Sequence, residues 1–209
     1  MLVTALGFSA LQMPTLRGMP LLLLAGNAAL SIPAGAAEAA AVGIPNFHQV
    51  NERMYRGAQP RSEGWDSLAK LGVKTVIDLR QANEHSGKAE KLAVEAAGMH
   101  YANVPLSDIW APSNKQISKV LALVDDSPSP VFVHCRRGSD RTGTVIACYR
   151  ITHDGWNNRR ALREAASYGM SWFEFGMQRY VLGFRAAGAA NAPPAPPAVP
   201  PPAAPQLPR

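Results

Sequence analysis

Cys135 and Arg141 stand six residues apart in the run PVFVHCRRGSDRTGTVIACYR, which extends from Pro130 to Arg150. A cysteine thiolate is a strong nucleophile, and a guanidinium can bind two oxygens of a tetrahedral anion at once through its planar fork. Between them lie Arg136, Arg137, Gly138, Ser139 and Asp140, and Thr142 follows. The chemistry this pattern fits is displacement at phosphorus. Cys135 would attack, the loop from Arg136 to Arg141 would hold the phosphate oxygens, and the Thr142 hydroxyl would help the sulfur leave when the thiophosphate is hydrolysed. Gly138 is expected to relieve crowding where the backbone curls around the anion. His134 is expected to be a structural histidine that bonds backbone around the loop. Sequence spacing gives it no second metal ligand, so neither a metal nor a cofactor is expected.

Such a loop works only if the chain aims it. An apolar strand must end at Cys135 and a helix must begin near Arg141, so that backbone N–H groups and the positive helix end converge on one cavity. The apolar, β-branched segments Val73–Arg80, Met99–Leu106 and Pro130–Cys135 read as buried strands. Helical patterns fall at Ser62–Leu71, Lys88–Ala97 and Asn114–Val124, with Ser113 as N-cap and Gly72 and Gly98 at helix ends. After Arg141 the pattern is all helical: Arg141–His153, Asn157–Tyr168 and Ser171–Ala187. Alternating strands and helices predict an α/β fold, a mainly parallel central sheet of about four to five strands flanked by helices, with a helical C-terminal part. The reactive loop then lies beyond the carboxyl ends of the strands, where ligands bind in such sheets.

HCRRGSDRTG resembles the H-C-x5-R-S/T-G signature of the protein tyrosine phosphatase superfamily, in its dual-specificity branch. YRGAQP, from Tyr55 to Pro60, resembles the YRS-x-QP start of atypical dual-specificity phosphatases of plants, fungi and bacteria, and VKTVIDLR and NVPLSD resemble later segments of the same proteins. The resemblance covers most of Phe47 to about Tyr168 and implies a two-step, metal-free mechanism through a phosphocysteine. It also implies a general acid on a loop that can reach the pocket. Asp108 is the choice, because it follows the strand ending near Leu106 on a loop where Trp110 and Pro112 could shape a lid. Asp140, inside the phosphate loop, is its rival and could instead orient Arg141 or a water. Asp125 and Asp126 are expected to close a helix or turn, and Asp78 with Arg80 to be structural beneath the sheet's carboxyl edge.

Three functions stay open: a protein tyrosine or dual-specificity phosphatase, a phosphatase of inositol polyphosphates, inositol pyrophosphates or phosphoinositides, and a phosphate-binding interaction module. Arg136 and Arg137 before Gly138 resemble the C-K-R-G loop of relatives acting on inositol pyrophosphates. Ser139 and Asp140 depart from it, since those relatives usually carry Lys and His there. The helical aromatics Trp156, Trp172, Phe173, Phe175 and Tyr180 read as core and interhelix contacts, and Arg159, Arg160 and Arg163 as a solvated face.

The net charge of +6 is spread along the chain, which favours an anionic ester or phosphoprotein as partner and not nucleic acid. Residues 1–37 read as a signal peptide or disordered leader: Arg17, a short apolar run Leu21–Leu24, then small residues to Ala36 and Ala37, where cleavage is expected. The run is too short and broken for a stable membrane span. Export to the periplasm or outside follows, or a cytoplasmic location if the leader is not a signal. Residues 46–187 read as the catalytic domain and 188–209 as a disordered Pro/Ala-rich tail. The two cysteines, Cys135 and Cys148, are not expected to pair. About 7 residues of helix separate Cys148 from Arg141, roughly 10 Å of axis, beyond disulfide reach.

Overall fold

The computed structural model describes residues 41–186, so the expected leader and tail lie outside the described residues. Five strands form one sheet in the order β1-β2-β5-β3-β4: β1 (His48–Asn51), β2 (Met54–Gly57), β3 (Thr75–Asp78), β4 (His100–Asn103) and β5 (Val131–His134). β1 pairs antiparallel with β2, and the β2–β5, β5–β3 and β3–β4 pairs are parallel. This is the mainly parallel sheet that the alternation predicts. The strands are shorter than the apolar runs at both ends. β1 and β2 are an addition, because HQVN and MYRG carry too few β-branched residues to read as strands. Only burial makes MYRG a strand: all four of its residues are inside.

The sheet is covered on both faces, so apolar residues continue along each strand without alternating with polar ones. In β5, Val131 and Val133 meet one core with Met54, Ile77, Ile117, Val120, Val145 and Ile146, whereas Phe132 meets the other with Phe47, Tyr55, Trp65, Leu68 and Val76. Each such side chain contributes about 1.5–3 kcal/mol by burial. Cys148 belongs to the first core as a free thiol, pushed up to about 12 by burial, and Cys135 is also unpaired.

Three helices precede the reactive loop, α1 (Ser62–Lys70), α2 (Gly87–Ala96) and α3 (Asn114–Asp126), and three follow it, α4 (Asp140–His153), α5 (Asn158–Ser167) and α6 (Phe175–Gly183). Ser113 is the N-cap of α3: its Oγ accepts from Gln116 N at 3.3 Å, and Gln116 Oε1 accepts from Ser113 N at 2.9 Å. Gly72 and Gly98 end α1 and α2 with φ of +79° at each. The last helix begins later than its aromatic pattern implies, at Phe175 and not Ser171. Ser171–Glu174 turn instead, because Asp140 takes the Ser171 N–H at 2.8 Å and Gln178 Nε2 donates to the carbonyls of Ser171 and Trp172 at 2.9 and 3.0 Å. Among the described residues no helix is long and apolar enough to cross a membrane.

The capping box is exposed and does not line the pocket around Cys135, so it isolates a structural contribution. Ser113→Ala is expected to lower unfolding free energy by about 1 kcal/mol in urea denaturation. Turnover of an aryl phosphate should be unchanged.

Candidate active site

β5 delivers Cys135 to the carboxyl edge of the sheet, and α4 starts five residues later at Asp140. Between them the chain curls with three successive carbonyls taken from outside the loop. Gln59 N donates to Arg136 O at 3.3 Å, Asn46 Nδ2 to Arg137 O at 3.2 Å, and Arg56 NH2 to Gly138 O at 2.8 Å. Carbonyls held outward leave the loop's amides to the inside, and Gly138 N already donates to Cys135 Sγ at 3.3 Å. Gly138 has φ of +73°, and a Cβ there would lie 2.5 Å from the backbone of Gly57. The crowding that Gly138 relieves where the loop curls is thus with the backbone at the end of β2.

The small pocket, about 30 Å³, is lined by Glu84, Asp108, Cys135, Arg136, Arg137, Asp140 and Arg141. The tertiary structure thus brings Asp108 and both rim arginines to the nucleophile. Cys135 is 3% exposed, Arg141 is buried, and the side chains of Arg136, Arg137 and Asp108 are open to solvent. Asp140 is buried and spends one oxygen on Ser171 N, and Ser139 is partly exposed with its hydroxyl 3.4 Å from Arg137 O. Thr142 is fully buried, and its hydroxyl has no hydrogen-bond partner among the described residues. An unpaired hydroxyl of this kind costs about 1–3 kcal/mol.

Arg141 is gripped by Glu84. NH2 donates to Oε2 at 2.9 Å and NH1 to Oε1, while NH1 also reaches Leu106 O at 3.5 Å. Three of the five guanidinium donors are used this way, which leaves Nε and one NH2 hydrogen for a phosphate. Burial alone lowers the Arg141 pKa, but the Glu84 bond and the charges of Cys135, Glu84 and Asp108 raise it overall. The Arg141 hydrogen bond holds the Glu84 carboxyl below the usual range.

A second buried arginine, Arg56, lies beneath the loop. It is 1% exposed, and its guanidinium sits 4.5 Å from the Tyr168 ring centre. Burial lowers its pKa to about 10, so it remains a cation at neutral pH and adds positive potential near the thiol.

His134 differs from its expected role. It is fully buried and stacks on Phe132 at 5.4 Å, with Nε2 3.1 Å from Glu90 Oε1 and 3.9 Å from Asp78 Oδ1. The ring faces carboxylates and not loop backbone. Asp78, Glu90 and His134 converge closely enough to hold a cation, a grouping that sequence spacing did not reveal. Arg80 already supplies positive charge there, paired to both Asp78 and Glu90. Asp78 also receives Tyr101 OH at 3.0 Å and lies 2.8 Å from His85 Nε2. Burial raises the Asp78 pKa, but His134 and Arg80 outweigh it and the net direction is down. Asp78 is therefore structural, as expected, and Asp125 faces His153 at 2.9 Å at the end of α3.

Glu84, Asn46 and Glu90 went unnoticed in the sequence, and Arg56 and Gln59 entered only as part of YRGAQP, with no role given to either. Glu84 had one usable signal, its place in the loop after a strand's carboxyl end.

A parallel sheet ending in a cysteine, an amide-lined loop, an arginine and a helix defines a cysteine-dependent phosphatase. Residues 39–181 match the family described as "DSP-PTPase phosphatase fused to NAD+ Kinase", and the chain belongs to that family of phosphatase domains. Dual specificity protein phosphatase TpbA of Pseudomonas aeruginosa is 28% identical over 143 residues, 63% of each protein. The TpbA crystal structure has TM-score 0.59 at 26% identity, covering 68% of this chain and 86% of that one. Inositol diphosphatase DSP5 of Arabidopsis thaliana is 28% identical over 134 residues, 61% of this chain and 64% of its own. A Mycosarcoma maydis protein bearing the tyrosine-protein phosphatase name OCA1 is 32% identical over 123 residues, 57% of this chain and 77% of its own. The chain thus spans slightly under two thirds of TpbA and DSP5.

Glu84→Gln frees the guanidinium while keeping its shape. It is expected to weaken tungstate or vanadate inhibition and to reduce kcat/KM about tenfold or more, the loss of a charge-assisted hydrogen bond. Because the folded pKa of Glu84 is depressed, its contribution to stability is present above the ordinary carboxylate pKa and lost as pH falls through the depressed value. In urea titrations the stability gap between wild type and Glu84→Gln should therefore be constant above about pH 5 and close in acid.

Proposed function

We propose that this chain hydrolyses phosphate monoesters in two steps, with phosphotyrosine and phosphoserine or phosphothreonine of proteins as the leading substrates. The observation that carries the reading is the amide-lined loop around Cys135, with Arg141 fixed by Glu84. The Cys135 thiolate attacks phosphorus and the ester P–O bond breaks, the departing oxygen taking a proton from Asp108. Asp108 lines the pocket from an exposed loop, where it can meet the leaving group. Water then attacks phosphorus, the S–P bond breaks, a proton returns to Asp108, and the sulfur leaves as thiolate with the otherwise unpaired Thr142 hydroxyl as donor. Arg141 and the loop amides hold the equatorial oxygens through both steps. Asp140 is less free than Asp108 to meet a leaving group, since it is buried and the Ser171 N–H occupies one of its oxygens.

A second reading is an inositol polyphosphate, inositol pyrophosphate or phosphoinositide. It is favoured by the exposed Arg136 and Arg137 at the rim and by the likeness to an inositol diphosphatase. The buried carboxylate of Asp140 in the loop weakens the pull on a heavily charged ring.

The test is phosphate release under reducing conditions from an aryl phosphate, phosphotyrosine and phosphothreonine peptides, a phosphoinositide and an inositol pyrophosphate. Cys135→Ser should reduce every rate by a factor on the order of 10⁴ or more. Asp108→Asn should slow alkyl esters by about 10²–10⁴ and aryl esters with good leaving groups far less. Fastest turnover of the inositol pyrophosphate would replace the protein reading by the second. Folded wild-type protein inactive on the whole panel would leave only an interaction module.

A further inference from the structure

Two loops flank the mouth of the pocket, and both project large apolar side chains into solvent. Ile109 and Trp110, 67% and 73% exposed, follow Asp108, while Trp172, Phe173 and Phe175, at 77%, 56% and 61%, follow the Ser171 N–H held by Asp140. The loops touch: a Cβ placed on Gly176 would lie 3.4 Å from Ala111 N. Trp172 stands edge-on to Phe173 and Phe175 at 5.8 and 6.4 Å, so these rings form one cluster and do not serve the interhelix contacts the sequence pattern suggested. Beyond Trp172 the cluster continues into a groove of about 410 Å³ between α5 and α6, lined by Leu162, Ala166, Met170 and Leu182 with Arg159 and Arg163. Contiguous apolar surface of this extent beside a catalytic pocket marks a binding face.

Charge and backbone identify the occupant. Asp108 and Glu174 adjoin the rings in sequence, but the exposed Arg136, Arg137, Arg159 and Arg163 outnumber them two to one, so the face is positive on balance. A second copy of the chain would oppose these arginines to themselves. The segment 188–209 has no acidic residue with which to meet them. A docked peptide strand would need open main-chain groups, yet Ser171 N, Ser171 O, Trp172 O and Glu174 N are already bonded within the protein. Bulky Trp, Phe and Ile ringed by arginine match an interface between water, headgroups and acyl chains.

We propose that this face is a docking surface for anionic phospholipid bilayers, with the rings of both loops inserted below the headgroups and the arginines against lipid phosphates. The mouth of the Cys135 pocket then faces the headgroup layer. The surface does not depend on which phosphate ester the pocket accepts.

The experiment is cosedimentation of the full chain with vesicles of phosphatidylcholine alone or with about 30% phosphatidylglycerol, an anionic content that attracts basic segments. Residues 1–40 contain their own apolar run, so the readout is the difference between wild type and variants. Wild type should sediment with anionic vesicles and not with neutral ones. Trp172→Ala with Phe173→Ala, and separately Arg159→Ser with Arg163→Ser, should each reduce the bound fraction, the latter by roughly tenfold or more. Both pairs are exposed, and turnover of a soluble aryl phosphate should match wild type, which confirms folding. Equal sedimentation of wild type and both variants would overturn the proposal by placing binding elsewhere. So would no sedimentation at all, or capture of an acidic phosphopeptide, with no vesicle binding, that the same substitutions abolish. Vesicle binding by a chain that turns over no phosphate ester would sink the phosphatase reading and leave the docking surface standing.

Discussion

The site depends on which way three carbonyls point. A loop of five residues between a strand and a helix can present either its carbonyls or its amides to a central point, and only the amides suit a phosphate dianion. Here Asn46, Arg56 and Gln59 draw the carbonyls of Arg137, Gly138 and Arg136 outward, so the inward side is made of donors. All three come from the N-terminal segment around β1 and β2, which otherwise would be an incidental edge of the sheet. Gly138 completes the arrangement, since the backbone of Gly57 and Ala58 lies where a side chain would be. The antiparallel hairpin is thus a clamp on the catalytic loop, and its burial has a chemical purpose.

Positive charge is arranged in two layers around the thiol. Arg141 is the reachable cation, turned by Glu84 so that two of its donors remain for ligand. Arg56 is the unreachable one, sealed under the loop against Tyr168, with two nitrogens that lack hydrogen-bond partners. Desolvating a guanidinium this far is costly. Its bond to Gly138 O accounts for its retention, because the same group shapes the cavity and places a buried positive charge near the sulfur. A lysine could not replace it equally, having a point charge without the planar fork.

Next to this, the carboxyl ends of β3 and β5 are joined by a buried polar cluster. Asp78 and Glu90 face Arg80, His85 and His134, with Tyr101 donating from β4. Breaking one member would leave an uncompensated buried charge, at a cost of about 3–5 kcal/mol. The cluster locks the strand that ends in Cys135 to its neighbour, so the nucleophile's position is set by electrostatics as well as by the apolar core.

Much of this was legible in the chain itself. HCRRGSDRTG disclosed the pocket's cysteine, its arginine and the helix start, because covalent neighbours on a tight loop cannot be separated by folding. The apolar runs at Val73 and Pro130 disclosed a parallel sheet, since residues buried on both faces leave a continuous signal. The place of Asp108 at the pocket was legible in the same way, as that of a carboxylate just beyond a strand's carboxyl end. What stayed hidden was everything that reaches the loop from a distance. Glu84 lies 57 residues from Arg141, and Arg56 lies 82 from Gly138. MYRG gave no strand pattern because an arginine and a glycine stand where strands usually place apolar residues, and only the enclosure by β5 and Tyr168 makes them belong inside. The aromatic run after Met170 carried a helical pattern, but Asp140 and Gln178 captured its backbone and turned its rings outward. Sequence fixes what is bonded or periodic along the chain; which charges face each other, and which rings face water, is decided where distant segments meet.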